Sequence, residues 1–193
     1  AVMSWRGDGA IMAGCPGQGK STLAAGLLAR GWSYLSDEFA LIDPRSRLLM
    51  PYPKTLCIKA GSFDVLTRLG LPLELDRVLH KASKGPVSLL DPLAVRADAV
   101  SKPCPVRLIV FPEYQVGATP RIEPMSRARA VYELIQVSFN FTKFRGNGLS
   151  LLAETARRAR CVRLRTGDLA ASCELLQSYM DNLDWQPAGE PAT

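Results

Sequence analysis

Apolar residues fall into short unbroken runs in the first third of the chain and into helix-spaced stripes toward its end. Ala10-Ile11-Met12-Ala13 is a run of strand length with no polar interruption, as a buried strand requires. Val2 to Trp5 is a second such run. The Arg6-Gly7-Asp8-Gly9 segment between them carries an Asp-Gly hairpin signal, so the strand at 10–13 is expected to have an antiparallel neighbour. Ser21 to Arg30 places Leu23, Leu27 and Leu28 on one helical face, with Gly31 as the stop. A β-prone stretch, Gly31-Trp32-Ser33-Tyr34-Leu35-Ser36, then runs into two adjacent carboxylates, Asp37 and Glu38. Leu48 to Met50 and Leu56 to Lys59 read as short strands separated by Pro51 and Pro53, as at a sheet edge, and Ser62 to Leu69 as one short helix. Pro105 to Phe111 is apolar almost throughout and predicts a central strand.

Helical spacing dominates the remainder. Ser126 to Phe139 aligns Ala128, Val131, Leu134, Ile135 and Ser138, and Leu149 to Arg160 aligns Leu149, Leu152, Ala153 and Ala156. Asn140 and Lys143 to Gly148 are expected to form the loop between these helices. Cys161 to Leu164 reads as a strand. Asp168 to Leu183 reads as a closing helix with Leu169, Cys173, Leu176, Met180 and Leu183 inward. Residues 80–88 are expected to be a mobile loop bearing His80, Lys81 and Lys84 beside Gly85-Pro86, either closing over phosphate or simply solvated. In all, the pattern predicts one α/β domain over residues 1–184, a mixed sheet with flanking helices, and a proline-containing tail over 185–193.

Composition narrows the class without choosing a function. The 193 residues are 47% hydrophobic and 22% charged, a globular balance that excludes disorder along the whole length. No apolar run has the length of a membrane span or the build of a signal peptide, so a cytoplasmic protein without membrane partners is expected. The chain opens on Ala1 rather than Met, which suggests a processed or trimmed start. Five cysteines (Cys15, Cys57, Cys104, Cys161 and Cys173) and one histidine, His80, show neither CxxC nor HxxxH spacing, so reduced thiols are expected rather than a zinc site. The formal charge of +6 fits an acidic partner. Aromatic residues are scarce near the Lys/Arg clusters and there is no helicase motif set, so nucleic acid is not expected.

Chemistry concentrates in Gly14-Cys15-Pro16-Gly17-Gln18-Gly19-Lys20-Ser21, which satisfies G-x-x-x-x-G-K-[ST] at every position. Glycines let such a loop turn its backbone N–H groups onto phosphate oxygens. Lys20 would reach the β- and γ-phosphates, the Ser21 hydroxyl would ligate Mg²⁺, and Thr22 continues the helix start, where the dipole favours an anion. Asp37 and Glu38 follow Ser21 by sixteen and seventeen residues. A strand returning beside the loop strand would bring them to the same sheet edge, one carboxylate for the metal and one for an acceptor hydroxyl. Glu113, at the end of the central strand, is set aside because Pro112 intervenes and the acid pair already fills that role. Cys15 lies inside the loop, where oxidation could block nucleotide binding.

The loop, followed by Arg30-Gly31-Trp32 and Leu35-Ser36-Asp37-Glu38, resembles the catalytic domain of the HPr kinase/phosphorylase family. Lys84-Gly85-Pro86-Val87, Arg107 to Pro112, Ser138-Phe139-Asn140 and Arg163 to Leu169 stand in the order of its HPr-kinase-related branch, the A type. The resemblance implies a P-loop core akin to phosphoenolpyruvate carboxykinase, and transfer of the γ-phosphate of ATP or GTP, with Mg²⁺, to a serine hydroxyl. It implies Gly14, Pro16, Gly17, Gln18, Gly19, Lys20, Ser21, Thr22 and Lys84 at the nucleotide, Asp37 as base, and Ser21, Glu38 and Asp37 at the metal. Some features of HPr kinase are missing. Its upstream histidine has no counterpart, Cys57 occupies the place of a later Glu, and the Gly-Arg-Asn element and N-terminal domain are absent. The implied acceptor is therefore a protein or peptide other than HPr, and a homo-oligomer is left open. A small-metabolite P-loop kinase and a non-catalytic nucleotide sensor are the competing readings.

Overall fold

Three parallel strands with apolar residues on both faces organise the molecule. The computed structural model describes residues 1–81 and 85–183, so Lys84 and the tail from 184 onward lie outside the described residues. Strands β1 (Val2–Trp5) and β2 (Asp8–Met12) form the expected antiparallel hairpin. Helix α1 (Lys20–Ala29) and β3 (Ser33–Ser36) follow, then β4 (Leu41–Ile42), β5 (Leu48–Met50) and β6 (Leu56–Lys59). A 3₁₀ turn over Ala60–Ser62 leads into α2 (Phe63–Arg68). A second, over Leu75–Arg77, precedes β7 (Leu79–Lys81), β8 (Gly85–Leu90) and α3 (Pro92–Val95). The chain continues through β9 (Cys104–Tyr114), β10 (Arg121–Pro124), α4 (Arg127–Val137), α5 (Phe141–Arg158), β11 (Arg160–Thr166) and α6 (Leu169–Asp181).

The main sheet has the order β10-β11-β9-β2-β1-β3, with β4 and β5 joined to the start of β9. Strands β2, β9 and β11 run parallel, while β1 and β10 run against their neighbours. A smaller antiparallel sheet has the order β6-β8-β7. The protein is thus an α/β fold with a mixed multi-strand sheet and flanking helices. Alternation of side chains along the strands divides the core. Met3, Ala10, Met12, Leu108, Val110, Val162 and Leu164 meet α1, α6 and the small sheet on one face. Val2, Ile11, Val106, Ile109, Phe111 and Cys161 meet α4 and α5 on the other.

Several local expectations change. The hairpin turns at Arg6-Gly7, whose φ values of +51° and +88° suit a tight two-residue loop, and Asp8 already pairs with Trp5. Asp8 then accepts a hydrogen bond from Arg107 Nε at 2.9 Å, and Gly9 is small because neighbours press on it. A Cβ at Gly9 would lie 2.5 Å from Leu49 Cδ1 and 2.9 Å from the Pro105 carbonyl oxygen. Helix α1 is not one-sided: Leu23 through Leu28 are all buried, and it ends with Gly31 N–H on Leu28 O (3.1 Å) and Trp32 N–H on Leu27 O (3.1 Å). Strand β3 pairs with β1 rather than β2, so one strand separates it from the loop strand. Its pairing shifts register between Val2↔Ser36 and Met3↔Tyr34, and its outer edge is bonded by Ala99, Ser101 and Tyr52.

Of the segment expected as a loop, His80 and Lys81 end β7 and residues 85–88 open β8, where His80 opposes Pro86 and Lys81 opposes Gly85, and Val87, Ser88 and Leu90 are buried. Lys143 to Gly148 belong to α5, where Gly146 and Gly148 are tolerated inside an 18-residue helix. That helix turns Leu152, Thr155 and Ala156 inward and leaves Leu149 and Ala153 exposed. Arg163 donates to Glu113 and to Glu133 Oε1 (2.7 Å), joining β11, β9 and α4. No helix among the described residues is long and apolar enough to cross a membrane.

The packing around Gly9 generates a stability test. Gly9→Ala should lower unfolding free energy by about 1–3 kcal/mol, as overpacking does. Gly61→Ala, where an added Cβ meets nothing within 4 Å, should change it by no more than about 0.5 kcal/mol. Urea unfolding of the two variants measures the difference.

Candidate functional site

The parallel strands β2, β9 and β11 all end on one edge of the sheet, and the Gly14–Gly19 loop leaves from the middle of that edge. Ala13 N–H donates to Val110 O at 2.9 Å, which holds the loop's start against β9. The loop needs left-handed backbone at Gly17 (φ +94°) and Gly19 (φ +80°), a region that side-chain-bearing residues rarely adopt. Gly19 is the N-cap of α1 and brings no side-chain oxygen to the first-turn N–H groups. Lys20 Nζ donates to the Cys15 carbonyl oxygen at 2.7 Å, which closes the loop across its mouth. Cys15, Pro16 and Gly17 are exposed, while Gln18, Gly19, Lys20, Ser21 and Thr22 are half-buried.

Asp37 lies where the spacing places it. In the first turn of α1, Ser21 Oγ donates to Asp37 Oδ1 at 2.8 Å, although β1 stands between β2 and β3. Asp37 Oδ2 accepts the Cys57 backbone N–H at 3.2 Å, so the carboxylate spans the first turn of α1 and strand β6 of the small sheet. Cys57 thus contributes a backbone donor to the carboxylate. Its Sγ takes a contact from Lys81 Nζ at 3.6 Å. Glu38 is exposed, and Thr22 Oγ1 shares a 2.6 Å hydrogen bond with Ser62 Oγ. Thus Gly14 to Thr22 and Asp37 come together, with Glu38 beside them at the surface, while Lys84 falls outside the described residues.

The donor set fits a hard divalent cation. A serine hydroxyl and a carboxylate oxygen 2.8 Å apart are the oxygen ligands that Mg²⁺ takes, the rest coming from water and substrate phosphates rather than a protein cage. Among the described residues no three His, Cys, Asp or Glu side chains gather into a metal-holding group. Glu113, at the end of β9, is engaged by Arg163 of β11.

Sequence reasoning missed an aromatic group next to this site. Phe39 follows Glu38 directly and packs edge-on against Phe139 (centroids 5.3 Å apart) and Tyr52 (6.0 Å). Phe139 is 81% exposed. The Ser138-Phe139-Asn140 segment thereby sits beside the acid pair. In the sequence Phe139 reads as the end of the 126–139 helix, and nothing there pairs it with Phe39.

The five thiols divide by environment. Burial pushes Cys104 and Cys161 up to about 11 and Cys173 up to about 12, while Cys15 is exposed and Cys57 half-buried. At pH 8 a thiol-specific disulfide reagent should therefore consume two thiols quickly, at Cys15 and Cys57, and the other three only after denaturant is added. Mass spectrometry of the labelled peptides checks the assignment. No protein-family model, curated protein or solved structure matches this chain.

Proposed function

We propose that the chain is an ATP- and Mg²⁺-dependent phosphotransferase of the HPr-kinase-like, P-loop type, acting on a serine hydroxyl of a protein or peptide other than HPr. The observation that carries this reading is the 2.8 Å contact between Ser21 Oγ and Asp37 Oδ1 at the mouth of the Gly14–Gly19 loop. A module that only binds nucleotide needs the loop alone, and the carboxylate is what transfer adds. GTP in place of ATP uses the same parts of the loop.

Backbone N–H groups of the loop and the first turn of α1 bind the phosphate chain, and Lys20 exchanges the Cys15 carbonyl for the β- and γ-phosphate oxygens. Ser21 and Asp37 would hold Mg²⁺, which supplies charge stabilisation for the phosphates. Their mutual contact favours Asp37 for the metal, and the exposed Glu38 for the acceptor, a division opposite to the one the family resemblance implies. Glu38 orients the serine hydroxyl and takes its proton as the serine oxygen–phosphorus bond forms. The bond from the γ-phosphorus to the β,γ-bridging oxygen breaks, and the nucleoside diphosphate leaves. The Phe39–Phe139–Tyr52 group next to Glu38, in which Phe139 and Tyr52 are exposed, supports a macromolecular acceptor over a small metabolite, since it offers apolar contact outside the reacting centre.

Three substitutions separate the roles. Lys20→Ala should abolish nucleotide binding measured by calorimetry. Asp37→Asn should keep most of the ATP affinity measured without metal, raise the Mg²⁺ concentration for half-maximal transfer at least tenfold and lower kcat by orders of magnitude. Glu38→Gln should lower kcat by about 10²–10⁴-fold with the Mg²⁺ requirement unchanged. Full transfer of labelled phosphate by both carboxylate variants would overturn the roles given to Asp37 and Glu38, and absence of transfer from ATP by the wild type to any protein, peptide or serine would overturn the kinase reading in favour of a sensor.

A further inference from the structure

A cavity on the far side of the loop from Asp37 has the chemistry of a nucleobase site. It encloses about 370 Å³ and is lined by Gln115, Ala118, Thr119, Pro120, Arg121 and Arg165. That volume is within the roughly 300–1,000 Å³ of small-molecule sites. It lies past the carboxyl ends of β9 and β11, where open α/β sheets bind ligands.

The position follows from strand order. The acid pair comes from β3, on one side of the loop strand β2, while β9 and then β11 lie on the other. A triphosphate whose terminal phosphate faces Ser21 and Asp37 must direct its nucleoside end across β9 and β11. Tyr114, the last residue of β9, links the two regions: a Cβ on Gly19 would sit 3.6 Å from Tyr114 Cβ, and the next residue, Gln115, lines the cavity. At about 4.8 Å per strand, Arg165 on β11 stands roughly 10 Å along the sheet from β2. That separation is within the span of a nucleotide held in the loop.

The lining is built rather than incidental. Gln115 N–H donates to Thr166 O (2.9 Å), Ala118 N–H donates to Gln115 O (3.1 Å), and the Ala118 carbonyl rests where any side chain at Gly167 would be. Arg121 and Arg165 are directly opposed across β10 and β11, a like-charge pairing that costs stability unless something else uses it. Arg121 Nε donates to Glu123 Oε1 at 2.8 Å. That bond, with the weaker fields of Arg165 and Arg163, holds the Glu123 carboxyl below its usual value. Glu123 offsets much of the charge at the rim and leaves planar guanidinium faces, which stack on aromatic rings. A neutral flat ring suits this lining better than a second phosphate does.

We infer that this cavity receives the base and ribose of the nucleotide, with Arg165 stacking on the base, Gln115 bonding its polar edge and Thr119 meeting the sugar. The inference rests on the proposed nucleotide-binding function. The test compares the affinities of MgATP and magnesium triphosphate, which lacks the nucleoside, in the intact chain. Arg165→Ala and Gln115→Ala should each weaken ATP about tenfold, as loss of a stacked or hydrogen-bonded base does, while triphosphate changes less than twofold and reports correct folding. Photolysis with 8-azido-ATP should label peptides containing residues 114–121 or 165. Equal affinities of wild type for ATP and triphosphate, unchanged ATP binding in both variants, or labelling elsewhere would each overturn the inference and leave the kinase reading standing. Failure of wild type to bind either probe would remove both.

Discussion

The parallel strands β2 and β9 are apolar on both faces at the centre of the sheet and cannot meet water on either, and most of the architecture answers that demand. Strands β2, β9 and β11 are covered by α1 and α6 on one face and by α4 and α5 on the other. Because they are parallel, their carboxyl ends share one edge. The loop after β2, the segment after β9 and the start of α6 after β11 therefore open on the same rim. Covering the sheet and assembling a site are one geometrical outcome here.

The smaller sheet is tied to that rim through a single carboxylate. Asp37 accepts from the first turn of α1 with one oxygen and from the backbone of β6 with the other, and Thr22 meets Ser62 a short way along. Leu56, Ile58 and Leu90 of the small sheet join the same apolar cluster as α1. The edge strand β3 is closed off by bonds from residues 52, 99 and 101, so it presents no free ladder for another chain. Arg163, between Glu113 and Glu133, fixes the two neighbouring strands to α4 in a comparable way on the opposite face.

Much of this was legible in the chain because the signals were local. The glycine-rich loop, its helix and the Asp37 spacing are short-range patterns, and the hairpin and the 11-residue strand β9 announce themselves by unbroken apolarity. What stayed hidden depends on contacts distant in sequence. Gly9 reads as a turn residue until Leu49 and Pro105 are seen to press on it, and α1 reads as one-sided until α6 covers its other face. Gly146 and Gly148 argue locally against helix, yet α5 runs through them. Strand β10 is four residues with a proline, and only its pairing with β11 makes it a strand. The aromatic contact between Phe39 and Phe139 joins residues a hundred positions apart, which no periodicity reports.

The register shift in β3 has a consequence of its own. Between Val2 and Met3 the partner strand advances from Ser36 to Tyr34, so Leu35 is an extra residue with no opposite number. An inserted residue of this kind bends a strand, tightens its twist and changes where the following side chain is aimed. Without it, the side chains beyond Ser36 would alternate in the opposite phase, and the position now filled by Asp37 would face away from Ser21. The reach of that carboxylate is thus written in a one-residue irregularity two positions upstream. Deleting Leu35 would leave the composition of the site intact and dismantle its aim.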